Sequence, residues 1–402
     1  MHLDPDEFAD SYWGRTLLHS TAVDLAAAGR IPGFADLLSS DDVDELLSRR
    51  GLRTPFLRVV RDGTVLPPRE FTGPGGAGAE IADQIIDEKV LDQYADGATL
   101  VLQGLHRLWP PLIEFAGALS AELVAPVGVN AYTTPPGGRG FATHYDTHDV
   151  FVLQVAGRKR WRIHQPVRPD PLERQPSGGI ADEVGAVSDS PAVFDAILAA
   201  GDSLYLPRGW LHSAVALGEQ SLHLTVGVRA MNRFAIVESL MDMASDDAAL
   251  RSGFPLGFDV TDASQLAPHL EATVEALTNW MRRIDAGSVA ERLRERAWPA
   301  MRPAPIRPLA QTAAMADLDV DTVLSPRRGL RWRLTATDSE SVTLRLVDRH
   351  ITVPASCGPA LRALLAGPRT RIGDLPGLVA ADQLTFARRM LREAVAVLAE
   401  KQ

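Results

Sequence analysis

Between residues 127 and 228 the chain is a succession of short runs, VGVNAYTT, HDVFVLQV, RKRWRIHQ, SLYLP, HSAVAL and SLHLTVGV, broken by turns rich in glycine and proline. Alternation of apolar and polar residues sends successive side chains to opposite faces, the pattern of half-buried β-strands. So many short strands in one stretch predict a closed β-barrel or a sandwich.

The flanking sequence has a different texture. Upstream, DDVDELLSR, from Asp41 to Arg49, reads as a capped helix with Val43, Leu46 and Leu47 on one side. From about Asn232 to Arg302, FAIVESLMDMA and LEATVEALTNWMRRI carry apolar residues at helical spacing, which predicts a small helical bundle. Pro303, Pro305 and Pro308 then mark a linker. From Ala310 to Gln402 two strands, SVTLRLVD and HITVP, stand beside the helical segments ALRALLA and DQLTFARRMLREAVAVLAE, a mixture that suggests a winged-helix type of module. The expectation is an α+β chain in three domains: residues 1–230, 231–305 and 306–402.

Composition narrows the function classes. A length of 402 residues suits two or three domains with a real core. The net charge of -10 argues against a protein that coats nucleic acid, and the small excess of Arg and Lys after residue 306 supports at most a weak acidic contact. No apolar run approaches the ~20 residues that span a bilayer. The acidic, amphipathic N-terminus lacks a basic segment followed by an apolar one, so a cytoplasmic setting is expected. The single cysteine, Cys357, excludes an intramolecular disulfide and a thiolate metal cluster, and is expected to be a buried structural thiol.

The chemistry concentrates in GFATHYDTHDVFVLQVAGRKRWRIHQP. His144 and Asp146, separated by one residue at the start of a strand, should point to the same face. A third ligand is offered by His212, just after the Pro-Arg-Gly-Trp turn of GDSLYLPRGWLHSAVAL. Two imidazoles and one carboxylate leave half of an octahedral shell open, as in non-haem Fe(II) centres. A zinc hydrolase can use the same donor set. His148 shares the parity of His144 and Asp146, and is expected farther along, either on the substrate side or as a hydrogen-bonded core histidine.

The next strand adds a second constraint. In RKRWRIHQ, Lys159, Trp161 and Ile163 share one face and Arg158, Arg160 and Arg162 the other. If the Trp–Ile face is inside, Lys159 is a buried cation that needs a partner. That partner is a bound carboxylate, an internal acid, or solvent reached past the apolar stem. In SLHLTVGV, Ser221, His223 and Thr225 alternate with Leu222, Leu224 and Val226, so the polar set should line a cavity; Asn130 and Tyr132 share a face in the same way.

These residues place the chain beside a known family. DEFADSYWGRTLL, NAYTTPPGGRGFATHYDTHDVFVLQVAGRKRW, GDSLYLPRGWLHSA and SLHLTVGV, in this order, resemble the JmjC-type ribosomal oxygenases, cupin-like protein hydroxylases that use Fe(II) and 2-oxoglutarate. The resemblance implies a double-stranded β-helix barrel, a helical dimerisation region and a C-terminal winged helix. It implies that His144, Asp146 and His212 hold iron, that Lys159 holds the distal carboxylate of 2-oxoglutarate, and that Asn130 lies close to that cosubstrate. Tyr132, Ser221 and His223 fall in matching strands as further cosubstrate contacts. No side chain beyond the metal ligands is assigned a catalytic role. A homodimer acting on a protein or peptide side chain follows, with a ribosomal protein as one candidate and no direct nucleic-acid readout. The chain departs from the family at THD after the metal motif, which leaves specificity open. The rival readings are a peptide-tailoring hydroxylase, a zinc hydrolase, and a non-catalytic metal-binding sensor with a winged helix.

Overall fold

The computed structural model describes every residue except 32, 79, 337 and 400–402. By internal contacts the chain divides into two units, Met1–Ala230 and Met231–Gln402.

In the first unit two sheets face each other. The larger has eight strands in the order Leu18–Ser20, Ser203–Leu206, Asp149–Ala156, Ser221–Val228, Val127–Thr134, Thr99–Leu102, Leu57–Arg61 and Thr64–Val65. The smaller has Lys159–His164 between Phe194–Leu198 and Leu211–Ala216. Every pairing is antiparallel. Between the sheets, Val150, Val152, Leu204 and Leu206 of the larger pack against Trp161, Ile163 and Leu198 of the smaller. The other face of the large sheet carries Val129, Ala131, Leu153, Leu222, Leu224 and Val226, packed with the helix residues Val43, Leu46, Leu47, Leu112 and Ala116. The period-two division of SLHLTVGV is therefore realised: its apolar set meets the helices and its polar set faces the space between the sheets.

Local chemistry fixes the boundaries. The helix Ser40–Arg49 starts at a capping box, in which the Ser39 side chain accepts from the Asp42 amide and the Asp42 carboxylate accepts from the Ser39 amide. The short connection from Asp149–Ala156 in the larger sheet to Lys159–His164 in the smaller passes through Gly157, where φ is +65° and an added Cβ would fall 1.9 Å from the Gln220 carbonyl oxygen. The chain crosses between the sheets there in two residues, which sets Lys159 at the head of its strand.

In the second unit, residues 231–302 form the helices Arg233–Ala244, Ala263–Met281 and Ala286–Ala297, with no strand among the described residues. Beyond them, Arg333–Ala336, Ser341–Arg345 and His350–Pro354 make one sheet, and Thr370–Arg371, Val323–Pro326 and Ala396–Leu398 another. The helices Gly358–Ala366 and Ala380–Arg392 share a core with these strands, through Leu324, Leu344, Ile351, Leu361, Phe386 and Met390. The expected long helix from Asp382 to residue 400 is corrected. It ends at Arg392, Ala394 takes a left-handed φ of +52°, and Ala396–Leu398 pairs with Val323–Pro326. Val395 and Ala396 are buried in the core, and the ladder captures this short apolar run; residue 400 lies outside the described residues. Cys357 is only half-buried, at the edge of that core. No helix among the described residues is long and apolar enough to cross a membrane.

Candidate metal centre

His144 and Asp146 do not lie on the strand but in the extended segment before it, which begins at Asp149. This corrects the expected placement and explains the geometry. His144 forms an isolated antiparallel bridge with His212: His212 N donates to His144 O at 2.8 Å, and His144 N to His212 O at 3.2 Å. Two residues along, Gly209 N donates to Asp146 O at 2.9 Å. At Gly209 φ is +87°, and a Cβ would lie 2.8 Å from the Arg168 carbonyl oxygen, so the Pro207–Trp210 turn brings the third ligand back onto the first two. Ligand atoms of His144, Asp146 and His212 lie within 4.8 Å of one another.

Both imidazoles are oriented by their own backbone. His144 Nδ1 donates to the Ala142 carbonyl at 2.8 Å, and His212 Nδ1 to the Trp210 carbonyl at 3.1 Å. A carbonyl only accepts, so Nδ1 carries the proton in each ring and Nε2 presents its lone pair to the cluster. Burial and the neighbouring His144 push His212 down to about 4, so it is neutral near pH 7. Burial opposes ionisation of Asp146, but its charge interactions with His212, His144, His148 and Arg229 together outweigh it and hold the carboxyl below its usual range. Tyr145, between the two ligands, points to the opposite face. It is 3% exposed, packs with Val184 and Leu211, and donates its hydroxyl to the Gln175 carbonyl at 2.8 Å.

From the cluster a pocket runs inward between the sheets, following the pairs His212–Ile163, Ala214–Trp161 and Ala216–Lys159. Lys159 is 2% exposed and donates to Thr134 Oγ1 at 3.0 Å. It has no carboxylate partner among the described residues, and burial alone pushes its amine down to about 7. Arg160 and Arg162, on the outer face, are exposed as expected. Trp161 Nε1 and His223 Nδ1 are buried without a hydrogen-bond partner, and both residues line the pocket. Tyr132 stacks on His223 with ring centroids 4.8 Å apart. Burial, then Lys159 and His212, hold His223 well below the usual imidazole range, so it too is neutral.

The remaining expected contacts are distributed unevenly. Tyr132, His223 and Thr225 line the pocket. Ser221 instead receives the Gln154 Nε2 donor at 2.9 Å, and Asn130 Oδ1 accepts from Gly104 N at 3.0 Å; neither belongs to the pocket lining. Thr134 and Phe141 were not singled out in the sequence. Thr134 was legible, since it has the parity of Asn130 and Tyr132; Phe141, edge-on to His144 at 5.5 Å, follows no periodic signal. His106, unassigned by motif, accepts from Val129 N at Nδ1, at 3.0 Å.

A metal-competent triad at the mouth of a cupin-like double-sheet barrel is the arrangement of a JmjC domain, and the JmjC domain family model matches residues 113–235. Two proteins described as bifunctional lysine-specific demethylase and histidyl-hydroxylase NO66 are similar in sequence. That of Drosophila grimshawi is 34% identical over 63% of this chain and 34% of its own length. That of Drosophila mojavensis is 39% identical over 56% of this chain and 25% of its own. The chain thus spans about a third or less of the length of these curated relatives. The Escherichia coli ribosomal oxygenase YcfD shares the fold, with a TM-score of 0.53 at 19% identity over 99% of this chain and 98% of that one. Another structure of YcfD, in complex with cobalt and 2-oxoglutarate, matches with a TM-score of 0.52 at 19% identity. Residues 113–235 thus match a JmjC domain, the chain is similar in sequence to part of these hydroxylases, and it shares the fold of YcfD.

Proposed function

We propose that this protein is an Fe(II)- and 2-oxoglutarate-dependent oxygenase that hydroxylates a side chain of a protein or peptide, with a ribosomal protein as the first candidate. His144, Asp146 and His212 would hold the metal, and Lys159 would hold the distal carboxylate of 2-oxoglutarate. The observation that carries this reading is Lys159: an amine buried without a counter-charge among the described residues, in the pocket that also contains the three ligand atoms. A carboxylate bound there satisfies it, and Trp161 Nε1 is a second donor with no other partner. A zinc hydrolase or a sensor gives Lys159 no task.

When bound, iron and cosubstrate supply the oxidising power that hydroxylation of an unactivated carbon requires. The chain supplies the rest. Backbone carbonyls at Ala142 and Trp210 keep both imidazole Nε2 lone pairs available. Ionised Asp146 contributes the hard oxygen donor. Val150, Val152 and Phe141 form apolar walls that limit water, while Lys159 and Tyr132 orient a dicarboxylate along the pocket axis. No nucleophile is needed.

The name of the Drosophila relatives makes a histidyl side chain the first residue to examine. Incubation with Fe(II), 2-oxoglutarate and a set of ribosomal proteins should give a mass increase of about 16, one oxygen atom, on one of them. Succinate formation with no ribosomal product would redirect the reading to a peptide-tailoring enzyme. Neither succinate nor product would overturn it.

The proposal extends to domain organisation: a catalytic domain over 1–230, a helical region over 231–305 that pairs two copies, and a winged helix over 306–402 without nucleic-acid readout, in a cytoplasmic setting. Ile236, Val237, Met241, Leu270 and Val274 are exposed on the helices of the middle region, which supports pairing there. Light scattering that returns a monomer at micromolar concentration would remove the dimer.

A further inference from the structure

His148 is the histidine that the metal cluster leaves over. Its imidazole is half-buried, and neither ring nitrogen has a hydrogen-bond partner among the described residues, so it is not a hydrogen-bonded core histidine. The ring lies directly over Gly227: a Cβ there would fall 2.5 Å from Nε2 and 2.6 Å from Cδ2. The absence of a side chain at 227 is what gives the ring its place.

Gly227 pairs with Gly128 on the neighbouring strand, two residues beyond the pair Thr225–Asn130 in the direction away from Lys159. Thr225 lines the metal pocket, and period two puts both glycines on the same face. The floor leading away from the metal therefore carries no side chain across two adjacent strands. Its far rim is Arg229, whose Nη1 lies 3.6 Å from the position of a Cβ on Gly128, with His106 Cε1 at the same distance. Arg229 is exposed and makes no ion pair among the described residues. The charged groups whose fields reach His148 are Asp146, Arg229, Asp149 and Glu173. Asp146 belongs to the metal cluster, and Asp149 is held by the Tyr205 hydroxyl at 2.8 Å.

We propose that the glycine floor of Gly128 and Gly227, with His148 on one side and Arg229 on the other, is a subsite for an acidic side chain of the substrate, next to the residue presented to the metal. This deepens the oxygenase reading and rests on it. A floor without side chains admits the close approach of an extended peptide. An imidazole with uncommitted nitrogens and a guanidinium together match the two oxygens of a carboxylate. An apolar neighbour in the substrate would leave those nitrogens unpaired as the peptide covers them, which selects against it.

The test uses the full chain loaded with Co(II) and 2-oxoglutarate, immobilised and exposed to a positional-scanning peptide library, with bound peptides sequenced. Asp and Glu should be enriched at one fixed position, roughly tenfold over Gln and Asn, as expected for hydrogen bonds to a charged group. Arg229→Gln, a surface change, and His148→Val should each remove most of that enrichment. Gly227→Ala should do the same, by displacing the His148 ring. Enrichment that survives Arg229→Gln and His148→Val overturns the subsite, as does a wild-type protein that selects no acid at any position. Co(II) and 2-oxoglutarate binding are measured on the same preparation by absorption and calorimetry. A protein that takes up neither sinks the oxygenase reading itself; one that takes up both without selecting an acid sinks the subsite alone.

Discussion

His212 Nε2 lies 3.7 Å from Asp146 Oδ2, a contact made across the backbone bridge between His144 and His212 rather than along any one strand. Asp146→Ala removes the carboxylate of the cluster and leaves two imidazoles. Co(II) affinity, followed by absorption titration, should fall on the order of 100-fold or more, beyond the usual effect of losing a residue that only supports a ligand. Wild-type affinity in this variant would mean that the metal sits elsewhere.

If Lys159 holds the cosubstrate as proposed, binding should depend on pH. Its amine titrates near 7 when the pocket is empty, and a bound carboxylate favours the charged form. Below pH 7 the amine is already protonated. Above it, binding must take up a proton, so 2-oxoglutarate affinity should weaken about tenfold per pH unit until the amine of the complex titrates. Lys159→Met should abolish this dependence and weaken binding by roughly 100-fold or more, as loss of one partner of a buried pair does. Calorimetry at a series of pH values, in buffers of different ionisation enthalpy, reads both effects.

The same amine destabilises the protein when no carboxylate is bound. Its folded value, about 7, lies below the ordinary 10.5, so between these limits the unfolded chain binds a proton that the folded chain does not. This contribution to stability should rise as pH increases from 7 toward 10.5, and the penalty is complete below 7. At pH 6, ligand-free Lys159→Met should be the more stable protein by at most roughly 4–5 kcal/mol, at about 1.4 kcal/mol per unit. Denaturant unfolding at pH 6 and pH 9 tests it: the gap must shrink at the higher pH.

Tyr145 holds two ligands by facing away from them. Tyr145→Ala empties a site between Val184 and Leu211, which should cost about 3–5 kcal/mol of stability. It should also weaken Co(II) binding about 10- to 100-fold as His144 and Asp146 lose their shared support. Tyr145→Phe keeps the packing and loses only the bond to the Gln175 carbonyl, so its metal affinity should stay close to wild type. Equal metal affinities in the Phe and Ala variants would show that packing does not set the ligands.

Tyr205 ties the start of the chain to the barrel. Its hydroxyl donates to Asp149 Oδ1 at 2.8 Å and accepts from Gly14 N at 2.8 Å. Burial raises the Asp149 carboxyl, and the Tyr205 bond partly opposes that. Tyr205→Phe takes one donor from the Asp149 carboxylate, which keeps the Arg208 amide, and removes the acceptor of the Gly14 amide, a loss of about 1.5–3 kcal/mol. A melting temperature unchanged within error would show that water replaces the hydroxyl.

Period-two alternation was enough to mark Val127–Thr134 and Ser221–Val228 and to divide their faces, because one face of each meets a greasy layer and the other a polar cavity. Thr99–Leu102 is buried on both faces, so no alternation marks it. The segment holding His144 and Asp146 looked like the start of a strand because a bridge and a strand give the same local spacing. Periodicity alone does not mark the end of the last helix, because the apolar pattern continues through Val395 and Val397, while the competing ladder partner, Val323–Pro326, lies far upstream in sequence.

By itself the sequence determined which residue types could meet: two imidazoles and a carboxylate at strand spacing, a lysine on the inward face, and a polar set along the cavity. Those are properties of local periodicity and donor chemistry. Only the tertiary structure decided that His212 bridges back to His144, that Lys159 meets no internal acid among the described residues, that Ser221 and Asn130 are committed to Gln154 and Gly104, and that His148 rests on a glycine. Each depends on which distant strand packs against which. That pairing is set by burial and register across the whole sheet, not by any stretch of neighbouring residues.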